Sequence, residues 1–525
     1  MVIVGIGGIL SEAAAALLRD GELVAAVEQR KIARYTRLGD LPHEAMEACL
    51  KMAGVDRAKV DCVALVRPVG ARPETSLHLQ LRSLFPAAQV ALLDHHTAHA
   101  ASAFFASGFD ESVVLTLDRQ GDLRCGARWT GKGPRLDLDR ELYFPDSVGD
   151  IYSRVTALLG HNPNADEHKI QWLSSSGDGR FAPLFRDILM GNGDPWPRSD
   201  WSYFDSHRVS GGGFGPRFYA ALGLPDQAEI PQSLRPHVAA GVQKALESAV
   251  LGMAGKGKNL CLAGGVGFNA LLVAALERSG RFENVFVQPA SGNTGTALGA
   301  VFYAWHGIAR RTERASIGNL CLGPSFRAEE IKEVLENCKL RFRYLKTTGE
   351  MIETAVRELE EHKITAWMQG AMEFGPRALG NRSILASPRN PYSTENLNIF
   401  IKRREPYRKF AASAPAELVP EYFDVGPNAR FLATVGRVKD AHRKTFESAI
   451  LGDGLVRVHS VRKEDNPLYW DLLHAAGRAT GLPVLYNTSF NLFGDPLVCS
   501  PRDAVRSFYS SGIDSMFVGN FFLQK

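Results

Sequence analysis

The sequence predicts an α/β protein, and three observations predict it. A strand–glycine turn–strand unit occurs twice, near residues 2–30 and 112–131. A strand–glycine loop–helix unit also occurs twice, at residues 258–276 and 285–305. A compact, basic and Gly-rich region with its own helices and strands follows residue 325.

The elements follow in order. VIVGIGG at the start reads as a buried strand entering a glycine turn, and a turn at Gly21 leads into the apolar strand ELVAAVEQR. Near residue 113 the pattern returns: SVVLTLD is a strand, RQGD a turn and LRCGARWTG a second strand. Paired hairpins of this kind, gripping a nucleotide phosphate between two related halves, build the actin/hexokinase-type ATPase fold. Between them LDHHTAHAASAFFASGF reads as a small-residue helix carrying histidines. Residues 175–230 are irregular, aromatic and Gly-rich, and read as a substrate-facing insertion. Residues 233–256 are helical. Apolar periodicity lapses in the polar, basic stretch near 306–319, which sets a linker at 311–324 between an N-terminal domain (1–310) and a C-terminal domain (325–525). The second opens on the helix RAEEIKEVLEN and closes on a helix and strand after residue 495. There is no low-complexity tract and no solenoid period.

Composition excludes several classes. In 525 residues, 45% are hydrophobic and 22% charged, the balance of a folded globular chain rather than a disordered one. The net charge of +4 argues against a dedicated nucleic-acid binder. Seven scattered cysteines with no CxxC pair argue against a disulfide framework or a cysteine zinc site and fit a reducing cytoplasm. No signal peptide and no membrane-spanning segment is expected.

Four stretches carry chemistry. His95 and His99 are four apart on a helix, so their rings share a face, and Asp118 ends an apolar strand. Together they read either as ligands of a divalent Lewis-acid metal or as a helix cap packed beside aromatics. His96 points off that face. Gly264, Gly265, Gly267 and Asn269, then Gly292, Asn293 and Gly295, form two loops whose amides suit a phosphate or ribose, or simply make tight turns. QGAMEFGPRALGNRSILASPRNP (369–391) sets Arg377, Arg382 and Arg389 among glycines, suited to bidentate recognition of phosphate or carboxylate. IKRREPYRKFA (401–411) follows, with Lys402, Arg403, Arg404, Arg408 and Lys409 around Glu405; it reads as an anion pocket, a solvated helix face or a nucleic-acid surface. YNTSFNLFGDP (486–496) presents Asn487, Thr488, Ser489 and Asn491, as a polar-ligand site or as a turn. Arg457 reads as a lone strand arginine on the surface.

MEFGPRALGNRSIL, IKRREPYRKFA, NTSFN and HHTAHAASAFF together resemble the O-carbamoyltransferase family, which includes the nodulation, cephamycin and aminoglycoside antibiotic carbamoyltransferases. The resemblance runs the length of the chain. It implies an N-terminal domain resembling the tRNA threonylcarbamoyladenosine transferase and a C-terminal YrdC-like α/β domain. It implies an enzyme that makes carbamoyl-adenylate from carbamoyl phosphate and ATP (with Mg2+). The carbamoyl group then passes to a hydroxyl of a small natural product or sugar, near an iron-type divalent metal (Fe2+). By motif, His95, His99 and Asp118 fall on the metal ligands, and Arg377, Lys402, Arg408, Arg457 and Ser489 on the catalytic residues holding carbamoyl phosphate and adenylate. Gly264, Gly265, Asn269, Gly292, Asn293, Gly295, Glu373 and Asn487 are assigned to cofactor binding. Departures cluster in the N-terminal domain: Ser11-Glu12 for the family's His-Asp, Arg119 for a glycine and Asn293 for an aspartate ligand. In the C-terminal cluster Lys409 and Ala412 replace prolines. The expected partners are small molecules, with no nucleic acid and no membrane, and the family implies a homodimer. Two further readings stand beside the enzyme: a transfer-deficient nucleotide-binding homologue that regulates or scaffolds a partner, and a tRNA-carbamoylating enzyme.

Overall fold

A computed structural model describes residues 1–67, 74–190, 194–208, 211–314, 317–390 and 392–525. The stretches expected to form the insertion (175–230) and the linker (311–324) therefore include positions outside the described residues: 191–193, 209–210 and 315–316.

The first sheet contains β1 (Val2–Gly7), β2 (Ala14–Arg19), β3 (Glu22–Glu28), β4 (Cys62–Val66) and β5 (Gln89–Leu93), in the order β3-β2-β1-β4-β5. β1, β2 and β3 pair antiparallel, and β4 joins β1 in parallel. The second sheet contains β6 (Glu111–Gly121), β7 (Arg124–Lys132), β8 (Arg135–Tyr143), β9 (Gly257–Ala263) and β10 (Phe282–Val287), in the order β10-β9-β6-β7-β8. β6, β7 and β8 are antiparallel, while β9 runs parallel to both β6 and β10. Counted from its first strand, this is the order of the first sheet. The two hairpins read from the sequence are thus a duplication of topology, the signature of the actin/hexokinase-type fold.

The histidine helix spans His95–Ser107. It starts where the Asp94 side chain accepts from the Thr97 amide at 2.9 Å, and it stops at Gly108, whose φ of +77° is left-handed. Its alanines let the helix Thr296–Tyr303 approach closely: a Cβ on Gly299 would strike the Ala98 carbonyl.

The third sheet holds ten strands among the described residues, in the order β11-β20-β19-β12-β13-β18-β14-β17-β16-β15. These are β11 (Arg343–Tyr344), β12 (Thr365–Met368), β13 (Arg382–Ala386), β14 (Ala411–Pro415), β15 (Phe423–Asp424), β16 (Val435–Val438), β17 (Leu455–Val461), β18 (Leu485–Ser489), β19 (Ser515–Val518) and β20 (Phe521–Gln524). Alternate residues feed two cores. Trp367 packs with Leu472 and Phe517 on one face, while its neighbours Ala366 and Met368 pack with Ile384, Val458 and Phe508 on the other. The sheet is buried on both sides, which is why its strands read as continuous apolar runs.

Contacts divide the chain into two compact units: Met1–Leu92 with Ala315–Ile450 and Gly454–Lys525, and Leu93–Arg314 with Leu451–Asp453. The first sheet thus groups with the C-terminal sheet rather than with its topological twin. The reason is polar as well as apolar. Ala26 N–H donates to Leu322 O at 3.0 Å, and the short helix Gln29–Ala33 holds C-terminal loops described below. All seven cysteines are free, and among the described residues no helix is long and apolar enough to cross a membrane. Gly299→Val should destabilise the protein by roughly 1–3 kcal/mol through overpacking. Urea unfolding measures this, and an unchanged midpoint would show that the two helices do not meet at this point.

Candidate active sites

The first centre lies wholly within the 93–314 unit. His95 and His99 stack edge to face with ring centroids 4.5 Å apart. β6 delivers Asp118 beneath them, and Asp118 Oδ2 lies 2.8 Å from His95 Nε2 and 3.0 Å from His99 Nε2. The other oxygen accepts the Gly265 backbone N–H at 2.5 Å, available because β9 runs parallel beside β6 and ends there. Burial alone would raise the Asp118 carboxyl, but His99 and His95 hold it well below the usual carboxylate range. Two imidazole nitrogens facing one carboxylate oxygen need positive charge between them, as N–H groups or as a cation. Nitrogen–nitrogen–oxygen is the donor set of a divalent transition metal, and the buried His99 Nδ1 has no hydrogen-bond partner. Donor atoms of His95, His96 and Asp118 also lie within 4.8 Å of one another. The His96 nitrogens are already engaged, however: Nδ1 lies 2.8 Å from Thr116 Oγ1 and Nε2 is 3.3 Å from Arg124 O. Burial pushes that imidazole down to about 3, so it is neutral. His96 is a structural residue, as its position on the helix predicts. Gly121 was not singled out in the sequence, yet any Cβ there would run into the His95 ring.

The glycine loops beside this centre are filled by the chain's own atoms. A Cβ on Gly264 (φ +92°) would strike Leu117 O, one on Gly292 the Phe268 ring and one on Gly295 the Ala290 carbonyl. Asn269 caps the helix Ala270–Arg278 by accepting from the Leu272 amide at 3.0 Å, and its amide pairs with Gln243 at 2.8 and 3.1 Å. Gly265 serves Asp118. Asn293 is half-buried in the turn that opens the helix Thr296–Tyr303. Arg119 occupies the position after Asp118. Its Nε donates to Asp150 Oδ1 at 2.9 Å, and the other Asp150 oxygen accepts from Arg154 Nε at 2.7 Å.

The second centre lies wholly within the other unit. Glu373 is fully buried, and its Oε1 accepts three amides of its own loop: Leu379 at 2.8 Å, Asn381 at 2.9 Å and Arg382 at 3.1 Å. This carboxylate shapes the loop that presents Arg377. Gly375 (φ +99°) and Gly380 (φ +97°) supply the left-handed turns. Arg382 is itself buried and braces the loop, donating to Gln369 O at 2.5 Å and Pro324 O at 3.2 Å.

Arg377, Arg404, Arg408 and Arg457 share one electrostatic field. Burial and Arg408 push Arg377 down to about 10. Burial and Arg408 push Arg404 down to about 9, with Glu405 opposing. Burial, Arg377, Arg404 and Arg408 hold Arg457 well below its ordinary value. Strand pairing explains how Arg457 arrives: Ala411 of β14 faces Arg457 of β17 on one side and Asn487 of β18 on the other. Glu405 pairs with Arg408 at 3.7 Å. Arg404, read only as part of a charge run, is a full member of the cluster. Asn398 Oδ1 accepts its Nε at 2.6 Å, and its guanidinium lies 4.2 Å from the Phe410 ring centre.

Lys402 sits differently. Its buried ammonium donates to Ser489 O at 2.5 Å, Asn491 O at 2.9 Å and Asn491 Oδ1 at 2.7 Å, so its three protons fix the end of β18. Ser489 Oγ donates to Asn491 Oδ1 at 2.8 Å. Burial, Arg404 and Arg408 lower the Lys402 pKa well below that of an ordinary lysine. Asn487 donates to Ala378 O at 3.1 Å and Ser413 Oγ at 3.3 Å, while its buried Oδ1 has no partner.

Sequence reasoning missed the clasp on this centre. Lys31 Nζ donates to Glu373 O at 3.0 Å and Gly375 O at 2.6 Å, and Glu28 Oε1 accepts the Gly375 amide at 3.2 Å. Arg34 donates to Leu497 O at 2.7 Å and Pro496 O at 3.0 Å. The signal was the basic run after β3, which carries the spacing but not the partners.

The duplicated actin/hexokinase-type topology carries the histidine–carboxylate centre, and the α/β unit carries the arginine centre. Sequence comparison gives the family. Residues 75–302 match the carbamoyltransferase N-terminus and residues 356–525 the carbamoyltransferase C-terminus. Nodulation protein NolNO of Sinorhizobium fredii is 30% identical over 98% of this chain and 79% of its own length. Nodulation protein NolO of Bradyrhizobium diazoefficiens is 33% identical over 82% of this chain and 79% of its own. The 3'-hydroxymethylcephem-O-carbamoyltransferase of Amycolatopsis lactamdurans is 29% identical over 51% of this chain and 49% of its own. Among solved structures, the ROK hexokinase of Thermus thermophilus overlaps 57% of this chain and 97% of its own, at 17% identity and a TM-score of 0.31. The chain belongs to the carbamoyltransferase family.

Lys31 also forms an ion pair with Glu28, so Lys31→Met would strand the buried Glu28 carboxylate and should destabilise the protein by about 3–5 kcal/mol. The double variant Glu28→Gln/Lys31→Met should recover much of that loss. Equal losses in both, in urea unfolding, would show that the ion pair is not the clasp.

Proposed function

We propose that the protein is an ATP-dependent O-carbamoyltransferase that forms carbamoyl-adenylate at the arginine centre and delivers the carbamoyl group to a small-molecule hydroxyl at the histidine centre. The observation carrying this reading is the clustering of Arg377, Arg404, Arg408 and Arg457, whose charges act on one another. Four half-buried guanidinium groups acting on one another suit a polyanion.

The chemistry balances as follows. Water cleaves carbamoyl phosphate to carbamate and phosphate. A carbamate oxygen attacks the α-phosphorus of ATP, and pyrophosphate leaves. The acceptor hydroxyl then attacks the carbamoyl carbon, its proton is lost, and AMP leaves. The arginines offset repulsion between the two anionic reagents and stabilise the charge growing on the bridging oxygens. Lys402 acts at one remove, holding the β18 end that carries Ser489 in place. Asn487 Oδ1, buried without a partner, suits the carbamoyl NH2 as an acceptor. In the other unit, His95, His99 and Asp118 would hold the divalent metal, which supplies Lewis acidity toward a carbonyl or hydroxyl oxygen. Gly265 keeps Asp118 oriented toward the imidazoles.

The test is incubation with carbamoyl phosphate and ATP. Pyrophosphate and phosphate should be released, and Arg377→Ala and Arg457→Ala should each cut the rate by about 10²–10³-fold. No release by folded protein would overturn the adenylate step. His95→Ala and His99→Ala should keep pyrophosphate release and lose bound metal.

Proton linkage gives a second check. The free arginines titrate low, Arg404 at about 9 and Arg377 at about 10. A bound anion raises both, so the complex holds more protons than the free protein at alkaline pH. Binding of carbamoyl phosphate should therefore take up protons and weaken as pH rises from about 8 to about 10. Calorimetry in buffers of different ionisation enthalpy reads this, and proton release would contradict it.

One observation favours a transfer-deficient homologue: Arg119 is anchored by Asp150 beside the histidine centre, in place of the family's glycine. Metal analysis after anaerobic purification separates the readings, since stoichiometric iron supports the transferase and its absence the homologue.

A further inference from the structure

The strand that brings Asp118 to the histidine centre carries a second charged group. Arg119 follows directly, and consecutive Cα atoms are about 3.8 Å apart, so its guanidinium lies within a small molecule's length of that carboxylate. The pairing of β6 with β7 shifts register between Leu117 and Gly121, which breaks the alternation of faces there. Ser147 Oγ lies 3.2 Å from Asp118 O and 2.7 Å from Arg119 O and pins this irregular turn. Asp150 is 1% exposed and accepts Arg119 Nε on one oxygen and Arg154 Nε on the other. Two cations on one carboxylate leave a net positive charge. Arg154 is spent on the insertion at 175–230: Nη1 donates to Gly212 O at 3.1 Å, and the guanidinium lies 5.3 Å from the Phe204 ring centre and 5.6 Å from that of Trp201. A Cβ on Gly212 or Gly213 would run into Arg154, so these glycines let the insertion close on it. Arg119 is placed differently. Its side chain is 42% exposed, and among the described residues the Nε bond is the one hydrogen bond its guanidinium makes. All of these residues lie in the 93–314 unit.

We propose that Arg119 selects the carbamoyl acceptor, and that this acceptor carries a carboxylate or phosphate close to the hydroxyl that receives the carbamoyl group. The inference rests on the transferase reading and names its substrate class. A guanidinium clamped through Nε keeps both Nη groups for an anion, which they can hold in bidentate fashion. Asp150 is a positioning residue. It is fixed on its helix by Ser147 Oγ, which accepts its amide at 3.0 Å, and Arg154 grips it from the other side. Arg119 therefore loses side-chain freedom before any ligand arrives, which lowers the entropic cost of binding. Through Arg154 the same carboxylate ties this position to the insertion that the sequence marks as substrate-facing. A neutral acceptor would leave the charge of Arg119 unused, and a basic one would be repelled by it.

The experiment gives the full-length protein carbamoyl phosphate, ATP and an equimolar mixture of glycerol, glycerate and glycerol 3-phosphate. These small alcohols differ in the group beside the hydroxyl, and mass spectrometry reads the carbamoylated products. An anionic product should exceed the glycerol product by about tenfold. Whether glycerate or glycerol 3-phosphate leads separates a carboxylate from a phosphate. Arg119→Gln should bring the ratio close to one, and Arg119→Lys should keep part of it. The ratio is read within one sample, so it does not depend on how much of a variant is folded. Calorimetric titration with the same three probes gives a reading independent of turnover, in which Arg119→Gln should weaken the better anion by about tenfold. Equal use of the three alcohols by the unmodified protein, or an anion preference that survives Arg119→Gln, would overturn the proposal. If none of the alcohols is carbamoylated, titration decides: equal anion affinity with and without Arg119 overturns it. Pyrophosphate release is followed in the same samples. No release, together with Arg119-dependent anion binding, would sink the adenylate reading and leave the anion site standing. Release with Arg119-independent products would do the opposite.

Discussion

Four half-buried guanidinium groups that share one field repel one another, and the architecture of the C-terminal half is largely an answer to that repulsion. Glu405 pairs with Arg408 at 3.7 Å, and covalent and hydrogen-bonded scaffolding holds the other groups in place. Glu373 ties three amides of the loop that carries Arg377, Asn398 fixes Arg404, and the pairing of β14 with β17 sets Arg457 on its strand. An anion among these groups would offset their mutual repulsion, which favours the binding of a polyanion. A neutralising acid in the cluster would stabilise the fold and weaken the ligand.

The histidine centre uses the opposite arrangement. Its carboxylate is fully partnered, by one amide and two imidazoles, and the polarity faces inward. Each centre is assembled inside one compact unit, so each can keep its geometry independently of the other. The departures from the family pattern fall in both units: Arg119 and Asn293 lie with the histidines, and Ser11, Glu12, Lys409 and Ala412 lie in the unit of the arginine centre.

Much of the architecture was legible in the sequence. Hairpins at glycine turns and helices with small-residue faces announce themselves locally, and both sheets repeat the topology that the hairpins imply. The convergence of His95 and His99 followed from helical spacing alone. Three things were not legible. Long-range backbone acceptance was one: the bonds of Lys31, Glu28 and Arg34 run to main-chain atoms, which carry no residue identity. Saturation was another. Lys402 looks like a phosphate ligand in a basic run, but its protons already belong to Ser489 and Asn491. The third was steric. Glycines such as Gly264 and Gly295 look like phosphate loops, yet their missing side chains make room for Leu117 and Ala290.

The grip of Lys31 on Gly375 closes a loop of 344 residues. That separation bears on how the protein is made. During synthesis the first sheet emerges and can pair its strands early, but its short helix has nothing to hold until most of the polypeptide has left the ribosome. Closure over such a distance is entropically slow. The arginine loop therefore takes its working shape late, so nascent chains carry an unfinished C-terminal centre until assembly is complete.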